Sequence, residues 1–136
     1  MSGDASKLAV GTPYHDTNGD SSGHVKIYLW NEAALNYTHT GDIFYGTKAG
    51  DLLGDTLQMS ADGMTLVIGA SSSDTNSEDA GEVRVYRWDE ADSSFKLNGT
   101  LFGAKNDRFG YSLSISPDDG VIAVGAIGSP TTPTDT

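Results

Sequence analysis

Apolar and polar residues alternate with a period of two along much of this chain. From His24 to Trp30, the side chains of Val25, Ile27 and Leu29 fall on one side and those of His24, Lys26, Tyr28 and Trp30 on the other, which is the spacing of a β-strand. The aromatic residues on the second side leave neither face purely polar, as in a sheet covered on both sides. Glu82 to Trp88 repeats the pattern, and Lys7–Gly11, Thr65–Gly69 and Val121–Gly125 read as short apolar strands. Asp55–Ser60, Phe95–Phe102 and Tyr111–Ser116 are further strands, and Leu35–Phe44 is a more polar one suited to a sheet edge. Residues 1–7 are expected to end one strand and turn. Between the strands lie turn formers: the loop Thr12 to Gly23, the loop SSSDTNSEDAG before Glu82, and the tight turns Ser60-Ala61-Asp62-Gly63 and Asp89-Glu90-Ala91-Asp92. No stretch carries the helical period.

These strands recur in a fixed order. Met1-Ser2-Gly3-Asp4 and Leu8-Ala9-Val10-Gly11 match Met59-Ser60-Ala61-Asp62 and Leu66-Val67-Ile68-Gly69 at an offset of 58, and Gly23 to Trp30 matches Gly81 to Trp88 at the same offset. Ile122-Ala123-Val124-Gly125 matches Leu66 to Gly69, and Phe109-Gly110 matches Leu53-Gly54, both at an offset of 56. Such a period signals a repeat architecture. Residues 51–106 form one complete unit of four strands; 1–50 hold strands two to four of a unit, 107–128 hold strands one and two, and 129–136 form a Pro/Thr-rich tail. Four-stranded antiparallel units repeated in this way describe β-propeller blades, here about two to two and a half of them against the usual 4–8 of a closed ring. A single such sheet leaves a face bare and needs neighbours. Met1 aligns with Met59, inside a strand, so the preferred expectation is a piece of a longer propeller. Assembly with other chains is the alternative, and in both cases open strand edges invite pairing.

The repeat resembles the FG-GAP family, the β-propeller repeats of integrin α-subunit heads. Phe109-Gly110 keeps the Phe-Gly and Leu53-Gly54 half of it; Gly69-Ala70-Ser71 and Gly125-Ala126-Ile127 keep Gly-Ala without Pro, and Gly11-Thr12-Pro13 keeps Gly and Pro. Gly-x-Val-x-x-Tyr follows at Gly23 to Tyr28 and Gly81 to Tyr86. The resemblance covers nearly the whole chain and rests on the order of weak motifs. It implies a non-catalytic propeller for adhesion or ligand binding, extracellular or at the cell surface, with a protein or glycan ligand. It also implies calcium, held in an Asp-x-Asn-x-Asp-Gly loop between the first two strands of a blade. The corresponding connections here, Gly3-Asp4-Ala5, Ala61-Asp62-Gly63 and Pro117-Asp118-Asp119, are too short to wrap an ion that takes six to eight oxygens. That site does not carry over.

Charge and composition narrow the partners. The 136 residues include 8 Lys and Arg against 19 Asp and Glu, a net charge of −11. Such a surface repels nucleic acid and anionic membranes. The chain has no cysteine, which excludes disulfides, thiolate catalysis and Cys-bound zinc but leaves the compartment open. No apolar run approaches the roughly 20 residues of a membrane span, and MSGDASK does not begin a signal peptide.

Alternating oxygen side chains occur instead in the loops between strands two and three. Asp16, Asn18 and Asp20, and again Asp74, Asn76 and Glu78, are spaced like the front of a calcium loop. The closing bidentate acid is missing, since Lys26 stands where it belongs after Asp20. These six residues are the candidate calcium ligands, with an exposed turn-forming loop as the plainer reading. Tyr14, His15, His24 and His39 fit no zinc spacing. Asp4, Asp62 and Asp118 share one repeat position, which suits a turn better than catalysis. Tyr28, Trp30, Tyr86 and Trp88 also recur and read as packing between units, with a sugar-stacking platform as the alternative. Asn36-Tyr37-Thr38 and Asn98-Gly99-Thr100 are glycosylation sequons on the fourth strand. No nucleophile elbow, phosphate loop or zinc-protease motif is present. The expected function is therefore a non-catalytic binding or adhesion module. The alternatives are part of a propeller hydrolase or lyase with its catalytic residues elsewhere, and a structural assembly piece.

Overall fold

A computed structural model describes residues 1–118 and 120–128; the proposed tail at 129–136, and Asp119 of the third short turn, lie outside the described residues. Among those described, the regular elements are all β-strands: β1 (Lys7–Thr12), β2 (His24–Asn31), β3 (Asn36–Tyr45), β4 (Thr56–Met59), β5 (Thr65–Ala70), β6 (Glu82–Asp89), β7 (Ser94–Phe102), β8 (Ser112–Ile115) and β9 (Ile122–Gly125). They form three antiparallel sheets in the orders β1-β2-β3, β4-β5-β6-β7 and β8-β9. The expected edge strand, β3, does lie at an edge. It begins at Asn36 rather than Leu35, because Leu35 takes a positive φ of 52° in the turn before it. Residues 1–6 form only a turn; the backbone N–H of Ser2 closes it on Lys7 O at 2.9 Å.

Period-two alternation becomes two layers of core. One side of β5 and β6, with Leu66, Ile68, Ala70, Tyr86 and Trp88, packs with Ala9, Val25 and Ile27 of the first sheet. The other side, with Val67, Val83 and Val85, packs against Leu113, Ile115, Ile122 and Val124 of the third. Every residue of β5 is therefore buried, and the middle sheet is covered on both faces. Fully burying a Leu or Ile of this kind is worth about 1.5–3 kcal/mol, so the two layers supply much of the drive to fold. Tyr86 stacks on Phe44 of the first sheet with ring centroids 4.2 Å apart, as the packing reading of the recurring aromatics requires. Tyr28 and Trp30 hold the equivalent places on the first sheet, whose corresponding face carries no neighbouring sheet among the described residues.

Successive sheets are joined the same way twice. Gly23, entering β2, makes a one-residue parallel bridge to Leu53, and Gly81, entering β6, makes one to Phe109. Leu53 N–H donates to Ser22 O and Phe109 N–H to Ala80 O, each at 3.0 Å. Gly23 and Gly81 have φ of 82° and 80°, and a Cβ at either would lie within 2.5 Å of the backbone it bridges. Only glycine accepts both conditions.

Candidate functional site

The two ends of the sheets differ. At one end sit the short turns. Asp62 Oδ1 accepts from Ser60 Oγ at 2.6 Å and from Met64 N–H at 2.9 Å, while Ser60 Oγ accepts from Thr65 N–H at 2.9 Å. Ser2 and Asp4 make the same bonds to Ser6 and Lys7, and Ser116 and Asp118 to Gly120 and Val121. The Ser6 N–H, then the Ser2 and Ser6 hydroxyls, lower the Asp4 carboxyl to a pKa of about 2. The Ser116 hydroxyl and Gly120 N–H pull Asp118 down as well. These carboxylates are consumed by turn geometry.

The long loops gather at the other end, where all six candidate calcium ligands lie. Asp16 Oδ1 accepts from Ser21 N–H at 2.8 Å and Asp74 Oδ1 from Asp79 N–H at 2.7 Å, so each closes its own loop. Asn18 and Asn76 turn their amide nitrogens inward, donating to Gly46 O at 2.8 Å and Gly103 O at 3.0 Å. They tether each loop to the exit of the last strand of its sheet. Asp20 Oδ1 accepts from Ser21 Oγ at 3.0 Å, and Glu78 is ion-paired with Lys105 at 3.0 Å. Among the described residues, no group of three or more His, Asp and Glu side chains converges as a metal cluster would. The repeated spacing is matched by repeated loop-closing and tethering bonds in the two loops.

The loop end is rigidly bonded to the connections between sheets. Gly50 N–H donates to Asp20 O and Leu52 N–H to Ser21 O; Asn106 N–H donates to Glu78 O and Arg108 N–H to Asp79 O. Buried Asp51 accepts from the N–H groups of Thr47 and Lys48, and Asp107 from Ala104 N–H. Asn36 and Asn98 lie on β3 and β7 with exposed side chains.

Two groups had no clear signal in the sequence. Asp55 lines a groove of about 490 Å³ with Gly11, Thr56, Gln58 and Tyr111. It accepts from Thr56 N–H at 2.7 Å, from Ser71 N–H at 3.3 Å and from the Ser71 hydroxyl. Burial nevertheless pushes its carboxyl above the usual range, outweighing those bonds. The second group is Glu82 with Arg84. Glu82 is buried, pairs with Arg84 Nε at 2.5 Å and accepts from Ser73 Oγ at 3.2 Å. Arg84 then reaches the first sheet, donating to Tyr45 O at 2.8 Å and Thr47 Oγ1 at 3.0 Å.

The histidines do not assemble either. His15 and His24 meet edge to face at 4.1 Å, while His39 stacks beside Tyr28 at 5.3 Å. His24 is buried and its Nδ1 has no hydrogen-bond partner. Burial, then the nearby His15 and Lys26, holds its pKa below the ordinary value. Among the described residues, no helix is long and apolar enough to cross a membrane. No family model matches the chain, and no curated protein matches it.

Proposed function

We propose that the chain is a non-catalytic binding or adhesion module built of β-propeller blades, its three sheets being one complete blade between two incomplete ones. The observation that carries this reading is the identical joint between sheets one and two and between sheets two and three, at the repeat offset. Blades added by one fixed operation wind around an axis and present their loops together. The loop end, acidic and stiffened by backbone bonds, is then the surface for a protein or glycan ligand. Its setting would be extracellular or the cell surface, where Asn36 and Asn98 could carry glycans. The test is an array of immobilised glycans and extracellular-matrix proteins, probed with the chain and with variants of exposed loop residues such as Asp20 and Lys105. Saturable binding that these variants abolish supports the reading; no binding on either array counts against it.

Asp55 favours one second reading. A carboxyl raised by burial in a groove is what a general acid requires, and propellers host enzymes too. Turnover of any hydrolase or lyase substrate that is lost in Asp55→Asn would move the assignment from binding to catalysis.

A further inference from the structure

The long loops of the first and middle sheets are fastened at the same repeat position by different chemistry. In the middle sheet Ser73 O accepts from Gly81 N–H at 3.0 Å, which draws the two ends of the loop together. The Ser73 hydroxyl then donates to buried Glu82 at 3.2 Å. His15 and His24 hold those two places in the first sheet, at the offset of 58. His15 O accepts from Gly23 N–H at 2.9 Å and from Ser22 Oγ at 3.2 Å, so the backbone clasp is kept. The side-chain clasp is replaced: two imidazoles meet edge to face with centroids 4.1 Å apart.

His24 is poorly placed to carry a charge. It is 4% exposed, and its Nδ1 has no hydrogen-bond partner. The groups that face it are His15 from the loop, Lys26 from its own strand and Tyr45 from β3, with Thr12 of β1 paired beside it. None of these is a carboxylate. An imidazolium here loses hydration and gains no anionic partner. It recovers the hydration if the loop swings away and takes His15 with it. The clasp also reaches the joint between sheets, because Gly23, held by His15 O, is the glycine that bridges to Leu53.

We propose that the contact between His15 and His24 is a proton-operated latch. Uptake of a proton by His24 in mildly acidic solution parts the two rings and opens loop 13–23, while loop 71–81, latched by Ser73 and Glu82, stays closed. Histidine is the side chain whose ordinary pKa puts its charge change between about pH 5 and pH 8, and neither Ser73 nor Glu82 is one. Burial favours the neutral His24 ring in the closed loop, so the open loop takes up the proton more readily. Opening therefore grows as pH falls below the ordinary histidine value. One loop at this end of the molecule is loosened by acid and its repeat partner is not.

The experiment is hydrogen exchange of the whole chain, read by mass spectrometry on peptides covering residues 13–23 and 71–81 from about pH 7.5 to about pH 5.5. The second loop is the internal control, since the intrinsic pH dependence of exchange and any global unfolding act on both. Protection of the first loop relative to the second should fall several-fold across this range, up to about tenfold for one proton taken up. His15→Ser combined with His24→Glu installs the middle unit's pair, with Lys26 in the place of Arg84, and should make the ratio independent of pH. His24→Gln keeps a polar side chain without the titration and should flatten the ratio as well, which keeps the test intact if the double variant does not fold. Circular dichroism and melting establish which variants are folded. A ratio in the native chain that is constant with pH or rises in acid, or an undiminished fall in His24→Gln, overturns the proposal. No ligand is added, so every outcome is independent of what the loop end binds.

Discussion

The first and middle sheets have nearly the same pattern, but the same repeat position lives in two environments. Ile68 and Arg84 on the middle sheet face the first sheet; Ile68 is buried and Arg84 bridges to Tyr45 and Thr47. Val10 and Lys26 hold those places on the first sheet, where the face has no neighbour among the described residues and Val10 is 41% exposed. Glu82, the buried partner of Arg84, corresponds to His24, whose Nδ1 is unpaired. An ion pair exists where a sheet lies over it to be bridged. Sequence equivalence thus identifies which positions form an interface, while energy accrues only where the neighbour is present.

Four measurements would break or sharpen that contrast. The largest effect is expected at the ion pair. Arg84→Met strands Glu82 without its partner and should cost about 3–5 kcal/mol in urea unfolding, whereas Lys26→Met should stay within about 0.5 kcal/mol. Equal costs would mean that the first sheet's open face is covered in solution. Next, Ile68→Ala should lose about 2–5 kcal/mol through burial and cavity, and Val10→Ala no more than about 0.5 kcal/mol at its exposed site. The Asn tethers are present in both sheets and provide a control. Asn18→Ala and Asn76→Ala should each cost about 1 kcal/mol, and a large inequality would show that the two loops are not equivalent.

The fourth measurement is pH. His24 has a folded pKa below its unfolded one, so the unfolded chain takes up the proton first as pH falls. Stability is then full above about pH 6.5 and declines as pH drops below it. His15, Lys26 and Tyr45 face this imidazole. A melting temperature that declines from about pH 7 to pH 5 in the native chain and is flatter in His24→Gln supports this. A decline of the same size in the variant would assign it elsewhere. Asp4, held at about 2, carries the same sign in a lower window: its contribution is present above its unfolded value of 3.8 and is lost only as pH falls toward 2.

Strand positions were legible because period two and turn chemistry are local, and the repeat supplied each element twice. The Ser-x-Asp turns were legible for the same reason. The hydrogen bonding of the Asp/Asn loops was not: spacing places oxygens at alternate positions, but it does not say that Asn18 and Asn76 turn nitrogen rather than oxygen inward. That depends on Gly46 and Gly103, 28 and 27 residues away. Arg84 finds Tyr45 across 39 residues and a sheet boundary, and Asp55 owes its raised pKa to burial that no neighbouring residue announces. Contacts between sheets are set by how the units stack, which the alternation within one unit does not encode.

The bridges at Gly23–Leu53 and Gly81–Phe109 bear on how such a chain grows. Each joint is closed by residues that follow one another along a single repeat and its successor, so no joint depends on a sheet two units away. Duplicating or deleting one repeat length in the gene would therefore add or remove a sheet while leaving every other seam intact. The heritable module is a stretch of 56 to 58 residues, and its copy number can drift without the fold being relearned.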